Sequence, residues 1–480
     1  MAAYVHRRAT LAAALLLTAS AVTGSLGSGA ASAAAGGRWT QLSTGAGVGI
    51  SNAPDAARIG GNLLVVWMQA SGPNNSSLKT RVVGGNALPV GPESTALTWT
   101  SISSDPAALL LGGVPTVVFG GLRSLDSTDV RNGPLSFVQA SDAASWALAP
   151  GSMSQTRYAY GDYGIGAVDD GTGQPLVALA AASTDHVTVH HGVDPSVPAT
   201  APDTYGDATG EAQAVSLARD SASGAAYALW YSGSSGAMNG IHAQQVWPQS
   251  APQQAAPLSS VPYAGEPTSV NPGQNVAVAG RVGGGVWAAY GSGYPSPHRL
   301  VLWRVGSSQR LVLTRPGSIQ YVGISAAPDG RMWVWWVEGN RVFATRTNPS
   351  VTAAGVVRAV TAPGGASPTR TTGDGALGPL DVVVNAQPGA ASAIWSTRIL
   401  ESLRVRVSPR RVSASDSVTV RVTDAGVAVR GAVVRLGKAA KHTNSRGRAT
   451  FTVAGGTSGA RAVVARARGY DPGRATFRVR

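Results

Sequence analysis

Three features of the 480-residue sequence predict an all-β protein. A glycine turn followed by a β-branched or aromatic strand recurs along most of the chain, and six shorter alternating strands crowd its last 80 residues. No amphipathic run of period 3.6 appears outside the N-terminal segment. The chain has no cysteine, which removes disulfides, thiolate metal sites and cysteine nucleophiles from consideration.

The N-terminal segment reads as an export signal spanning residues 1–33. His6-Arg7-Arg8 supplies a basic start, Ala9 to Ala21 an apolar run of signal length, and Ala31-Ser32-Ala33 a small-residue cleavage site. The twin arginines leave a folded-export route open beside the general one. No later stretch is apolar for about 18 residues, so no transmembrane segment is expected in the mature chain. The expected location is secreted or extracellular, with non-covalent retention at the cell wall as an option. Arginine outnumbers lysine by 35 to 3, the bias of a GC-rich bacterial genome.

From residue 38 to residue 400 the chain repeats. The turn-plus-strand unit starts at Gly61, Gly113, Gly173, Gly224, Gly284 and Gly330, with a weaker seventh copy at Gly378, a mean spacing of about 53 residues. Each unit continues through a turn into a second alternating strand, such as Arg299 to Val305, and most add a third such as Arg310 to Leu313. A strand of smaller residues precedes each glycine turn, for example Ile165 to Val168. Four strands per unit make a propeller blade. The last unit lacks an outer strand, and Arg38 to Leu42 is the available donor. The prediction is a seven-bladed β-propeller closed by its own N-terminus, which removes exposed sheet edges; six blades is the runner-up.

Residues 401–480 differ in composition, carrying 17 of the chain's 38 basic residues and 4 of its 24 acidic ones, so nearly all of the +14 net charge sits there. Six short strands, from Leu403 to Val407 through Ala475 to Val479, predict a small Ig-like β-sandwich. The motifs Val422-Thr423-Asp424-Ala425-Gly426, Gly431 to Val434, Thr443 to Ala449 and Arg468-Gly469-Tyr470 resemble those of bacterial Ig-like and carboxypeptidase-regulatory-like modules. That resemblance implies a spacer or adhesive role. Period-two placement puts Val405, Val407, Val420 and Val422 on one face and Arg404, Arg406 and Arg421 on the other. Such a cationic face suits surface attachment to an anionic cell-wall polymer or acidic glycan; the alternative is an ordinary solvated face produced by composition. Nucleic acid is not expected, because no stacking aromatics interleave with the arginines.

In a propeller of this strand order, the connections between blades share a face with the hairpins joining second to third strands. On it fall Arg157, Tyr158, Tyr160, Asp162 and Tyr163 from one connection, and Arg123, Asp126, Asp129 and Arg131 from the neighbouring loop. Tyr205, Asp207 and Glu211 come from the next connection, and Tyr263 with Glu266 from the one after. Tyrosine rings stack on sugar faces while charged groups bind hydroxyls and acid substituents, so an extracellular glycan or protein ligand is expected there. Asp162, Glu211 and Glu266 are the candidate catalytic carboxylates, since glycoside hydrolysis needs two across the scissile bond. The alternative for all of them is ordinary loop chemistry, as read for the turns Asp169-Asp170 and Asp329-Gly330.

The repeat, with the degenerate Asp-box Ser141-Asp142-Ala143-Ala144-Ser145-Trp146, resembles secreted sialidase-type propellers with Asp-box (BNR) repeats. The resemblance implies the fold across residues 38–400. No Arg-Ile-Pro segment and no assignable nucleophilic Tyr–Glu pair accompany it, so a sialidase-like glycosidase or polysaccharide lyase is the second reading behind a non-catalytic binder. His186 and His190 share a strand face without a third ligand nearby in sequence, and no metal site or cofactor is expected.

Overall fold

The computed structural model describes residues 39–44, 53–72, 74–102, 104–126, 135–141, 145–149, 164–180, 187–192, 203–205, 212–232, 240–248, 252–259, 276–293, 296–389, 391–455 and 458–480. The export segment 1–33 lies outside them. Among the described residues, helix is confined to two single turns of 3-10 type, and none is long and apolar enough to cross a membrane.

Seven four-stranded antiparallel sheets occupy residues 40–399 of the described part. Their first strands, in chain order, are Asp55–Ile59, Ala107–Leu111, Ile165–Asp169, Ala212–Arg219, Val276–Gly280, Gln320–Ala326 and Arg370–Asp374. Each pairs with the strand after it, and six of the sheets run on through two further strands in sequence order. The seventh takes its fourth strand from the N-terminal side, where Thr40 lies opposite Ser396 and Gln41 opposite Trp395. The Leu42 amide then donates to the Ile394 carbonyl at 2.7 Å.

The sheets stand around a common axis. Seven hydrophobic clusters each join one sheet to the next, and the cycle is complete, since Leu63, Val65 and Trp67 of the first sheet pack on Val383 and Ile394 of the seventh. The second strands carry the largest of these side chains, with Trp67, Trp230, Trp287, Trp333 and Trp336 all fully buried. Burying each such ring is worth about 1.5–3 kcal/mol or more, so the glycine-led aromatic strands of the repeat are the main source of inter-sheet cohesion. The first strands are built from small residues because they converge. A Cβ on Gly166 would lie 2.5 Å from the Leu217 amide of the next sheet, and one on Gly323 would strike the Trp335 ring. This ring of four-stranded sheets is a β-propeller architecture.

Polar contacts reinforce the end of the ring where the first strands finish, here the lower face. The Gly112 amide donates to Asp169, the Gly285 amide to Asp220, the Arg281 guanidinium to the Gly330 carbonyl, and the Gly375 amide to Ser325. Arg58 of the first sheet pairs with Asp374 (2.6 Å) and Asp381 (3.1 Å) of the seventh, and Arg398 closes on Asp381. Asp169-Asp170 and Asp329-Gly330 form hairpin turns here, with Asp169 accepting from the Gly171 and Gly173 amides.

After Ile399 the chain forms two facing sheets. In one, Ser417–Asp424 is flanked by Arg404–Ser408 and Arg448–Thr452 and also pairs Val427–Ala428; the other orders Arg411–Val412, Gly473–Val479, Gly459–Arg466, Val433–Leu436 and Ala439–His442. Val405, Val407, Val418, Val420, Val422, Phe451, Val463 and Phe477 fill the space between them. Alternation in this valine-rich sequence decides the result, because it places Arg404, Arg406 and Arg421 outward and exposed.

Gly37–Arg480 form one compact unit, and buried charge joins the sandwich to the lower face of the ring. Arg346 of the sixth sheet donates to Asp424 at 2.6 Å and to the Tyr470 hydroxyl at 3.1 Å, and Arg331 approaches Asp424 at 3.2 Å. Arg358 pairs with Asp471, and Glu401, 1% exposed, accepts the Arg346 and Val356 amides. Burial, then the neighbouring Asp424 charge, push the Glu401 carboxyl up to about 8.

Candidate ligand-binding channel

The seven first strands line an axial channel of about 490 Å³. Most of its wall is Gly, Ala and Val, so the few polar side chains define its chemistry. They concentrate toward the upper end, where the first strands begin: Asp55, Asp105, Tyr321, Arg370, Thr371 and Thr372, with Ser216, Ser325 and Asp374 deeper in.

Two carboxylates tie the wall together around the first sheet. Asp55, from the first sheet, accepts the Ala108 amide of the second (2.8 Å) and the Thr372 hydroxyl of the seventh (3.2 Å). Asp105 accepts the Ala53 amide at 2.8 Å. Burial inside the channel outweighs these hydrogen bonds and raises the Asp55 carboxyl to about 6.

The neighbouring wall, from the sixth and seventh sheets, carries a cation on a ring. Tyr321 sits in a β-bulge where pairing shifts between Gln320 and Gly323, and its φ of 48° lies in the left-handed region that non-glycine residues avoid. Bulges of this kind re-aim a side chain, and here the phenol ring lies under the Arg370 guanidinium, 5.8 Å from its centroid. The site is braced from behind, since Thr371 donates to the Tyr321 carbonyl (3.1 Å) and accepts from the Trp335 indole (3.2 Å). Burial raises the Tyr321 hydroxyl's pKa against the opposing effect of Arg370, so at neutral pH it remains a hydrogen-bond donor. Arg370 donates to the Thr369 carbonyl and has no carboxylate partner among the described residues.

Most residues singled out from sequence cannot be set against this geometry. Asp162, Glu211, Glu266, Arg157, Tyr158, Tyr160, Tyr163 and Tyr263, with Asp129 and Arg131, lie outside the described residues. Tyr205 ends the strand Asp203–Tyr205, opposite Val187, and its side chain is not described. Arg123 is exposed on the connection after Gly121–Leu122, where its carbonyl accepts from Thr100, and it does not line the channel. Among the described residues no group of three or more His, Asp or Glu is placed to hold a metal. His191 instead hydrogen-bonds Asp170 at 2.7 Å and lies over Trp247 of the fourth sheet, 3.8 Å between ring centroids. Burial would raise the Asp170 carboxyl, but hydrogen bonds from His191 and Thr172 hold it down at about 2.

Sequence reasoning passed over Asp55, Asp105, Tyr321 and Arg370, which sit in or just before the small-residue strands and not on the connections between blades. A signal was present: polar or charged residues interrupt strands otherwise made of Gly, Ala and Val.

No family model matches the chain, and no curated protein sequence matches it. Among solved structures, virginiamycin B lyase from Staphylococcus aureus is similar at 9% identity, over 76% of this chain and 99% of that one, with a TM-score of 0.45. The polysaccharide lyase Uly1 is similar at 10% identity, over 72% and 90%, with a TM-score of 0.43. The NanB sialidase from Streptococcus pneumoniae is similar at 9% identity, over 60% and 65%, with a TM-score of 0.39. At such identities and scores, neither lyase nor sialidase chemistry transfers to this chain.

Proposed function

We propose that the protein is a secreted seven-bladed β-propeller that binds an acidic extracellular ligand, a glycan or a protein segment, at the upper mouth of its channel without turning it over. One observation carries this reading: Arg370, stacked on a bulge-held Tyr321, is a guanidinium without a carboxylate partner among the described residues at the mouth of a channel of small-ligand size. Asp55 and Asp105 are already engaged by backbone amides of neighbouring sheets, a structural use of the channel's carboxylates. Tyr160, Asp162, Tyr163, Tyr205, Glu211, Tyr263 and Glu266, singled out in the sequence for their chemistry, are further ligand contacts in this reading. The C-terminal sandwich, an Ig-like module in this reading, grips the lower face and turns the mouth away from the envelope surface that its arginines contact.

The test is binding to a glycan array and turnover of chromogenic glycosides by the full chain. Arg370→Ala should weaken the strongest array ligand at least tenfold, with no turnover by the parent protein. A ligand bound equally well by Arg370→Ala would overturn the assignment of the mouth. A second reading, a glycosidase or lyase at the same mouth, is favoured by the Asp55 carboxyl, raised to about 6 as a general acid requires. Turnover that disappears in Asp55→Asn would establish it.

A further inference from the structure

We propose that the outer face of the sheet containing Ser417–Asp424 binds a linear polyanion laid across its strands, through a ladder formed by Arg406, Arg421 and Arg448. This rests on the attachment reading above and gives it a ligand class and a geometry. Arg406 lies directly opposite Arg421, and Arg421 directly opposite Arg448, in three adjacent antiparallel strands. All three are exposed. Opposed residues have Cβ atoms about 4.5–5.5 Å apart, and like charges so placed destabilise a sheet. None of the three has a carboxylate or side-chain hydrogen-bond partner among the described residues.

The shortage of counter-charge follows from where this segment's four acids are used. Glu401 is buried, Asp424 holds Arg331 and Arg346, Asp471 holds Arg358, and Asp416 accepts the Ser413 amide. Two rungs along the same face the ladder gives way to hydroxyls, where Ser408 faces Thr419 and Thr419 lies 3.3 Å from Thr450. The surface therefore offers a row of guanidinium forks beside a row of small donors, without an aromatic platform for bases. Neighbouring strands are about 4.8 Å apart, which sets the period of the row. Guanidinium binds carboxylate and phosphate oxygens in the same two-pronged way, so the shared chemistry is a chain of oxyanions at a comparable repeat. A uronate chain with one carboxylate per sugar and a polyol phosphate chain both present it.

The experiment measures binding of the full chain to polygalacturonate, poly(glycerol phosphate), neutral dextran, duplex DNA and purified cell walls across a salt series. Binding to at least one of the two polyanions, weakening steeply with salt, is expected, with none to dextran. Arg406→Thr, Arg421→Thr and Arg448→Thr together should weaken it at least tenfold. Removing the same charge from the other sheet, with Arg435→Thr, Arg466→Thr and Arg474→Thr, should change it less than twofold. Thermal melts of both triple variants confirm that each is folded. Equal losses from the two variants, no binding to either polyanion at low salt, or equal affinity for duplex DNA would each overturn the ladder. Wall binding that survives in the ladder variant while polymer binding is lost would overturn the attachment reading and leave the ladder standing.

Discussion

In the ring, the arginines that close it or brace its outer strands end on carboxylates. Arg58 reaches Asp374 and Asp381, Arg398 closes on Asp381, and Arg315 meets Glu338 at 2.7 Å while lying over the rings of Trp336 and Phe343. On the outer sheet of the sandwich, Arg406, Arg421 and Arg448 face one another. The difference separates two uses of one side chain. A guanidinium paired inside the fold closes the ring or joins its parts, whereas one left beside its own kind leaves a site for an anion from outside. Arg370 falls between these cases, since it is held against a tyrosine ring but has no carboxylate partner among the described residues.

The strongest way to break the contrast is to remove the counter-charge where it is buried. Asp424→Ala strands Arg331 and Arg346 between the ring and the sandwich and deprives the Tyr470 hydroxyl of its acceptor. Breaking a buried ion pair by deleting one partner costs about 3–5 kcal/mol. The sandwich keeps its own apolar core, so calorimetry should show one transition in the parent and two in Asp424→Ala. Asp424→Asn, whose amide oxygen still accepts, should lose less. A single unshifted transition in the alanine variant would show that the clamp contributes nothing.

A second contrast separates the two regions by pH. Glu401 at the clamp and Asp55 in the channel are both raised, to about 8 from 4.5 and to about 6 from 3.8. A carboxyl with a higher pKa folded than unfolded holds its proton longer in the native state, so its contribution to stability falls as pH rises between the two values. Relative to the parent, Glu401→Gln should therefore gain stability progressively from about pH 4.5 to 8, and Asp55→Asn only from about pH 4 to 6. Denaturant unfolding at a series of pH values reads both, and flat differences across these windows would refute the assignment.

What was legible in the sequence depends on the distance between partners. The alternation in Arg404 to Val407 fixes which side of the sheet is charged, because a strand's faces are set by period two alone. Arg38 to Leu42 could be matched to the last unit because that unit lacked a strand, and Thr40–Gln41 does pair there. The channel's polar groups were not legible, since Asp55 and Thr372 are 317 residues apart and meet only through closure of the ring. Nor was the clamp: Asp424 reads locally as the end of a strand before a turn, and its partner Arg346 is 78 residues away in another sheet. The tyrosines and carboxylates of the connections were chosen for composition, and composition does not say which side chains converge.

The smallest expected effect bears most directly on the ladder. Arg421 stands between two arginines, so Arg421→Thr removes both like-charge contacts while keeping a β-branched residue on an exposed strand position. Each opposed pair bears on stability by about 0.2–1 kcal/mol, so removing two should stabilise the variant by about 0.4–2 kcal/mol at low salt and raise its melting temperature accordingly. The gain should disappear near 1 M salt, where the screening length falls to about 3 Å, below the separation of the strands. Arg435 supplies the comparison, because its cross-strand neighbours are Ala440 and Val464 and its removal relieves no direct opposition. If Arg435→Thr raised the melting temperature as much as Arg421→Thr, the sandwich's net charge would be the cause and the register of the arginines would have no part in it.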